Sequence, residues 1–151
     1  MYYQNILHNL YINLTLIKKL RQKIRLLSFL YLINFLKFSI ETLKKDKRKK
    51  MVLTNYLFFS AILNEKLYSP NRTHTLGGVS FPIKGNKYYL EYKKYFSEIL
   101  KKNKIEVIYI ISSDYIVEDR LVYDYLDKSC ITEHSYNEQL KKFELEKCKL
   151  I

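Results

Sequence analysis

Thr54 and Asn55 close the apolar run Met51-Val52-Leu53, and Ser112, Ser113 and Asp114 close a second run over residues 105–111. If both runs are parallel strands, these five side chains gather in the crevice beyond the strands' carboxyl ends, where open α/β sheets take their ligands. The chemistry on offer is hydrogen bonding from hydroxyls and an amide, with one carboxylate. The same residue types are ordinary strand terminators and helix caps. A candidate crevice is therefore expected, with a structural role as its simpler explanation.

Arg72 and His74 sit in a turn-rich stretch, residues 66–86, and form a candidate contact for an anionic group. Loops of that length are often functional. Cys130 and Cys148 are the two cysteines of the chain. They fit either reduced thiols or one disulfide closing a modest loop, and the redox compartment decides between these. Together with His8, His74 and His134 they do not make a zinc spacing. No phosphate loop, dinucleotide fingerprint or nucleophile elbow is present, and Gly77-Gly78 reads as a turn. No cofactor or metal is expected, and the chain alone is not expected to be catalytic.

The elements that would position these residues follow from periodicity. The run at 51–54 suits a buried strand, and 56–63 a short helix. In 87–103, Tyr88, Tyr89, Tyr92, Tyr95, Phe96, Ile99 and Leu100 keep a three-to-four spacing, which predicts an amphipathic helix. The β-branched run at 105–111 predicts a central strand covered on both faces. A further helix follows Asp114, burying Val117, Leu121, Val122, Tyr125 and Leu126. A last helix is expected at 135–142 and an edge strand at 143–147. The fold class is α/β, a small parallel-stranded layer preceded by long amino-terminal apolar and basic helices.

Net charge is +12, with nine of the surplus positive charges in residues 1–65. Fifteen tyrosines among many lysines invite a base-stacking reading. Tyr88, Tyr92 and Tyr95, however, fall on the apolar stripe of a helix and read as core. A single alanine and abundant Lys, Ile and Asn carry the bias of an AT-rich genome, in which Lys is the default solvated residue.

Residues 1–17 are uncharged. A basic cluster at 18–25, a second uncharged stretch at 26–36 and another basic cluster at 44–50 follow. Two short spans flanking a basic hinge are expected, neither reaching the ~20 apolar residues of a full crossing without Lys37 snorkelling. Asn5, Asn9 and Asn13 would form one polar stripe on a helix. Transmembrane helices, an amphipathic surface helix and a soluble hairpin all remain open. The positive-inside rule does not orient the segment, because basic clusters flank the second stretch on both sides. The amino terminus lacks the pattern of a cleavable signal peptide. The chain thus divides into a helical membrane or amphipathic stem, 1–45, and a small α/β domain, 46–151.

Residues 51–60, the Asn71-Arg72-Thr73 loop, Lys84-Gly85-Asn86-Lys87-Tyr88 and residues 103–110 together resemble the carboxy-terminal soluble region of polytopic bacterial membrane proteins of the lipid-linked-sugar glycosyltransferase-like type. The likeness covers residues 26–151. It implies an inner-membrane protein with a periplasmic domain, partners in the lipid bilayer and in further transmembrane helices of the same or a split protein, and a Cys130–Cys148 disulfide. In that family the catalytic acids lie in an early extracytoplasmic loop that has no counterpart here. The resemblance therefore implies an accessory, non-catalytic domain and a truncated or split piece. The competing class is a basic membrane-surface or nucleic-acid-binding protein using the clusters at 18–25 and 44–50, with nucleic acid the less expected partner.

Overall fold

The computed structural model describes residues 2–71, 80–112 and 120–145. A single helix, α1 (Tyr2–Lys45), replaces the two spans and basic hinge expected from the charge pattern. The segment holds no Pro or Gly. Lys and Arg rank among the better helix formers, so charge alone gives the backbone no reason to break. At about 1.5 Å per residue, α1 is roughly 66 Å long. Lys44 and Lys45 occupy its last turn, where cations suit the helix dipole.

The chain divides into two units, Met1–Glu41 and Thr42–Ile151. The second unit therefore takes the last turn of α1, where Leu43 is fully buried.

In the second unit, β1 (Lys50–Thr54) and α2 (Phe59–Leu63) precede α3 (Tyr89–Asn103) and β2 (Val107–Ile111). After these come α4 (Arg120–Tyr125), a 3₁₀ turn, β3 (Thr132–Ser135) and β4 (Leu140–Glu144). The sheet order is β1-β2-β4-β3. β1 and β2 are parallel, from Lys50 opposite Val107 to Thr54 opposite Ile111. β4 runs antiparallel to both β2 and β3. The class is α/β, but the layer is a mixed sheet and not a purely parallel one.

The carboxy-terminal part departs most from expectation. In place of a helix at 135–142 and an edge strand at 143–147, β3 and β4 form a hairpin, and β4 is an interior strand. Leu140 and Phe143 are three residues apart, which reads as helical spacing. On a strand the two point to opposite faces, and both are fully buried because both faces are covered. Asn137 makes the turn, its Oδ1 accepting from the amides of Gln139 (2.9 Å) and Leu140 (2.8 Å).

One face of the sheet, carrying Met51, Leu53, Ile108, Ile110 and Phe143, packs in a core with Phe96 and Leu100 of α3 and Val122 and Tyr125 of α4. Of the expected buried face around α4, Val122, Tyr125 and Leu126 are buried, whereas Val117 and Leu121 lie among residues whose side chains are not described. Tyr125 is the hub: its ring stacks on Phe96 (5.3 Å) and Tyr89 (5.8 Å), and its hydroxyl donates to the Pro82 carbonyl (2.5 Å). Tyr92 is half-buried, its hydroxyl without a hydrogen bond in reach among the described residues. Burial raises that hydroxyl's pKa above the ordinary phenol range, against an opposing pull from the nearby Asn71 side chain.

Tyr88 and Tyr95, expected in the core, are instead exposed. α3 begins two residues later than the periodicity suggested, and its buried stripe runs Tyr89, Phe96, Leu100. The helix closes on Lys104 in a left-handed conformation (φ 52°), with the Ile105 amide donating back to Leu100 O (2.9 Å).

Phe96→Ala is expected to destabilise the chain by about 3–5 kcal/mol through the cavity it leaves, whereas Tyr88→Ala stays within ~0.5 kcal/mol. Chemical denaturation followed by circular dichroism checks both, and equal effects at the two positions would contradict the assigned stripe.

Candidate functional site

Thr54 and Ser112 end the parallel neighbours β1 and β2, and both are buried. Their backbone surroundings serve structure: Thr54 Oγ1 accepts from the Tyr56 amide (3.1 Å), and the Ser112 amide donates to Gln139 O (3.0 Å). Asn55 is exposed. Ser113 and Asp114 lie outside the described residues, as do Arg72 and His74. Of the expected crevice residues that are described, Thr54 lines a cleft, and neither Asn55 nor Ser112 joins it.

That cleft, of about 370 Å³, opens between the carboxyl end of β1, α2 and the segment that follows α2. Val52 and Leu67, both buried, give it an apolar lining. The Val52 amide donates to Leu67 O (3.0 Å), so residues around 67 attach to the outer edge of β1 and raise a wall there. Ser69 Oγ donates to Asn71 O (2.6 Å), and the Asn71 amide donates to Ser80 O, which fixes the end of that wall. Tyr68 has a left-handed backbone (φ 51°), a conformation that disfavours a bulky side chain and holds only where the surroundings over-determine it.

The second face of the sheet carries a charged network at the opposite end of β1. Register places Tyr109, Lys142 and His134 side by side, with Glu144 one pair further along. Arg48 grips Asp46 with two nitrogens, at 3.0 and 2.8 Å, and reaches Glu144 at 3.1 Å. Lys142 Nζ lies 2.8 Å from Glu144, and the Tyr109 hydroxyl donates to Asp46 Oδ2 at 2.7 Å. His134 Nε2 stands 3.4 Å from Glu144.

Burial would raise the Asp46 pKa, but hydrogen bonds from Arg48 and Tyr109 hold it well below the carboxylate range. The Lys142 ammonium, against some desolvation and with help from Arg48, brings Glu144 down to about 2. Burial, reinforced by the Asp46 carboxylate, pushes the Tyr109 hydroxyl above the ordinary phenol range.

Two members of the basic cluster at 44–50 are thereby removed from any partner-binding role. Arg48 is held in this network, and Lys50 is buried at the start of β1 with its Nζ 2.5 Å from Glu65. Lys44, Lys45, Lys47 and Lys49 are exposed. A run of lysines reads as a solvated patch. Only the alternation of a strand beginning at Lys50 could have signalled that one of them points inward. The cleft wall escaped the sequence reading for a related reason: it is irregular backbone whose position is set by contacts distant in sequence, among them the Val52–Leu67 hydrogen bond.

Cys130, at the end of the 3₁₀ turn, is disulfide-bonded. Cys148 lies outside the described residues. Among the described residues no group of three or more His, Cys, Asp or Glu side chains converges to hold a metal.

No known family pattern, curated relative or solved structure matches this chain. Fold and site define it as a mixed four-stranded α/β unit following a long apolar helix, with a mixed polar and aromatic cleft at the carboxyl end of its first strand.

The network makes stability acid-sensitive. Asp46 and Glu144 have folded pKa values below their ordinary values of 3.8 and 4.5, so their contribution is complete above that range. It is lost as pH falls toward 2. Arg48→Met is expected to cost about 2 kcal/mol at neutral pH and to flatten this acid limb. Denaturation midpoints of parent and variant from pH 7 to pH 2 measure it, and parallel curves would show that the pairs do not couple to folding.

Proposed function

We propose that this chain is a membrane-attached, accessory α/β domain, anchored through α1 and belonging to a bacterial inner-membrane protein of the lipid-linked-sugar glycosyltransferase-like type. The observation that carries the anchoring is the surface of α1. Its segment Leu20–Lys45 is long and apolar enough to cross a membrane, and 17% of its most apolar window is buried. A core helix of a soluble protein would bury most of that stripe. Here every side chain from residue 20 to residue 31 is exposed, with Leu26, Leu27, Phe29 and Leu30 each about half or more accessible.

At ~1.5 Å per residue, the 26 residues of Leu20–Lys45 extend about 39 Å, and the stretch between Arg25 and Lys44 takes about 27 Å of it, close to the ~30 Å hydrocarbon core of a bilayer. Serines inside such a segment need partners that water cannot supply. Ser28 and Ser39 meet this need internally, donating to the carbonyls of Ile24 (3.0 Å) and Phe35 (2.9 Å). Exposed Arg21, Lys23 and Arg25 precede the apolar stretch, and exposed Lys44, Lys45, Lys47 and Lys49 follow it. Both groups suit anionic headgroups.

The disulfide at Cys130 supports a domain on the oxidising, periplasmic side. The accessory role rests on the resemblance of residues 26–151 to the carboxy-terminal soluble region of such proteins. Lipid and neighbouring transmembrane helices are the partners this reading requires.

The expressed full chain is expected in the membrane fraction after a high-salt wash, released only by detergent. The double variant Leu27→Glu, Leu30→Glu is expected to shift at least half of it to the soluble pool, since each charge costs about 2.5–3.5 kcal/mol at a span centre. A parent chain that is soluble without lipid, or that binds RNA or DNA in a salt-sensitive manner, would overturn the anchored reading.

The side of the membrane has its own measurement. Cys130 in whole cells is expected to resist maleimide labelling until reduced, and Cys130→Ser to lower stability by roughly 3 kcal/mol. Full labelling without reductant would place the domain in the cytoplasm.

A further inference from the structure

We propose that the cleft at the carboxyl end of β1 binds a single hydroxylated ring bearing one anionic group, the chemistry shared by a uronic acid and a sugar phosphate. Three features of the site lead there. Its size, about 370 Å³, lies at the low end of ligand pockets, which span about 300–1,000 Å³, and so admits one ring rather than a chain.

The hydrogen-bonding inventory comes second. A hydroxyl has one donor and two acceptor positions. Thr54 gives a lone pair to the Tyr56 amide, which leaves its O–H to donate; Ser69 gives its O–H to Asn71 O, which leaves its lone pairs to accept. Ser60 adds a third hydroxyl from the exposed side of α2. A cleft that both donates and accepts matches a polyol, whereas a bare phosphate calls for donors alone. The side walls supply Tyr56 and Tyr68, apolar surfaces for the C–H face of a ring.

Charge is the third feature. Among the described residues Lys66 is the one charged residue lining the cleft, its Nζ 5.1 Å from the centroid of the Tyr68 ring. A cation placed over an aromatic at the rim fits an anionic substituent on the bound ring. The wall is preorganised for this: Tyr68 keeps its left-handed backbone between the Val52–Leu67 and Ser69–Asn71 hydrogen bonds, and strain held in this way is common at ligand clamps. A second, larger cleft shares Lys66 but is otherwise lined by one flank of α3, including Lys101 and Lys102.

This inference rests on the sheet unit and holds whether or not α1 enters a bilayer. The test uses the full chain, in lipid nanodiscs or in buffer as fractionation dictates, with glucuronate, glucose 1-phosphate, glucose and inorganic phosphate as separate probes in saturation-transfer NMR titrations. Both anionic sugars are expected to bind, with glucose about tenfold weaker for want of one charge-assisted contact. Lys66→Ala is expected to bring the anionic sugars to the level of glucose. Ser60→Leu, which fills the cleft from an exposed position, is expected to abolish saturation of all sugars while leaving the circular dichroism spectrum unchanged. A preference between the two anionic sugars identifies the source of the charge. Inorganic phosphate binding as tightly as glucose 1-phosphate, titrations of Lys66→Ala that match the parent, or no saturation by any sugar would overturn the assignment.

Discussion

Everything in the second unit answers to β2. All five of its residues, Val107 to Ile111, are buried, so both its edges must be hydrogen-bonded and both its faces covered. Five paired residues on the β1 side and five on the β4 side meet the first demand. The core with α3 and α4 meets the second on one face. The other face is less uniform, because Tyr109 brings a hydroxyl into it. That hydroxyl needs an acceptor, since an unpaired buried polar group costs about 1–3 kcal/mol, and Asp46 provides one.

Asp46 in turn brings a buried-side carboxylate that needs a cation, and Arg48 answers it two residues later. Arg48 and Lys142 then share Glu144, so the segment just after α1 is pinned to the last strand by charge rather than by apolar packing. Such a network stabilises modestly in total, because desolvation offsets much of the attraction. Its geometric effect is greater: it sets the register of β4 against the incoming chain. At the carboxyl end of β1 no such network is present among the described residues, and the segment after α2 is tied to that strand by the backbone bond to Val52 and the Lys50–Glu65 ion pair. The cleft is the space left by that looser closure, which is why it lies where α/β sheets ordinarily keep a ligand.

The two proposals draw on different halves of the chain. Anchoring rests on the apolar surface of α1 and on the internal satisfaction of its serines, whereas the ligand reading rests on a fixed wall, three hydroxyls and one lysine. An accessory domain beside a membrane enzyme that handles sugar on a lipid carrier would have use for both, but neither needs the other to be correct.

Much of the fold was legible in the residues alone, where a segment's own periodicity settles its state. The β-branched run around Val107, the stripe through Phe96 and Leu100, and the strand before Thr54 needed no context, because their spacing leaves only one regular structure that buries them. Of three departures, the first is local and the other two were decided by tertiary contact. The basic cluster at 18–25 marked a hinge on paper, yet the helix runs through it, since nothing local opposes helical backbone there. Leu140 and Phe143 imitated a helix because both faces of an interior strand are covered, a fact that belongs to the neighbouring strands. The cleft and the Arg48 network join residues up to ninety-six apart in sequence. Local pattern determines which face of an element is apolar. Which polar groups meet on that face depends on strand order and register, and those come from the packing of the whole unit.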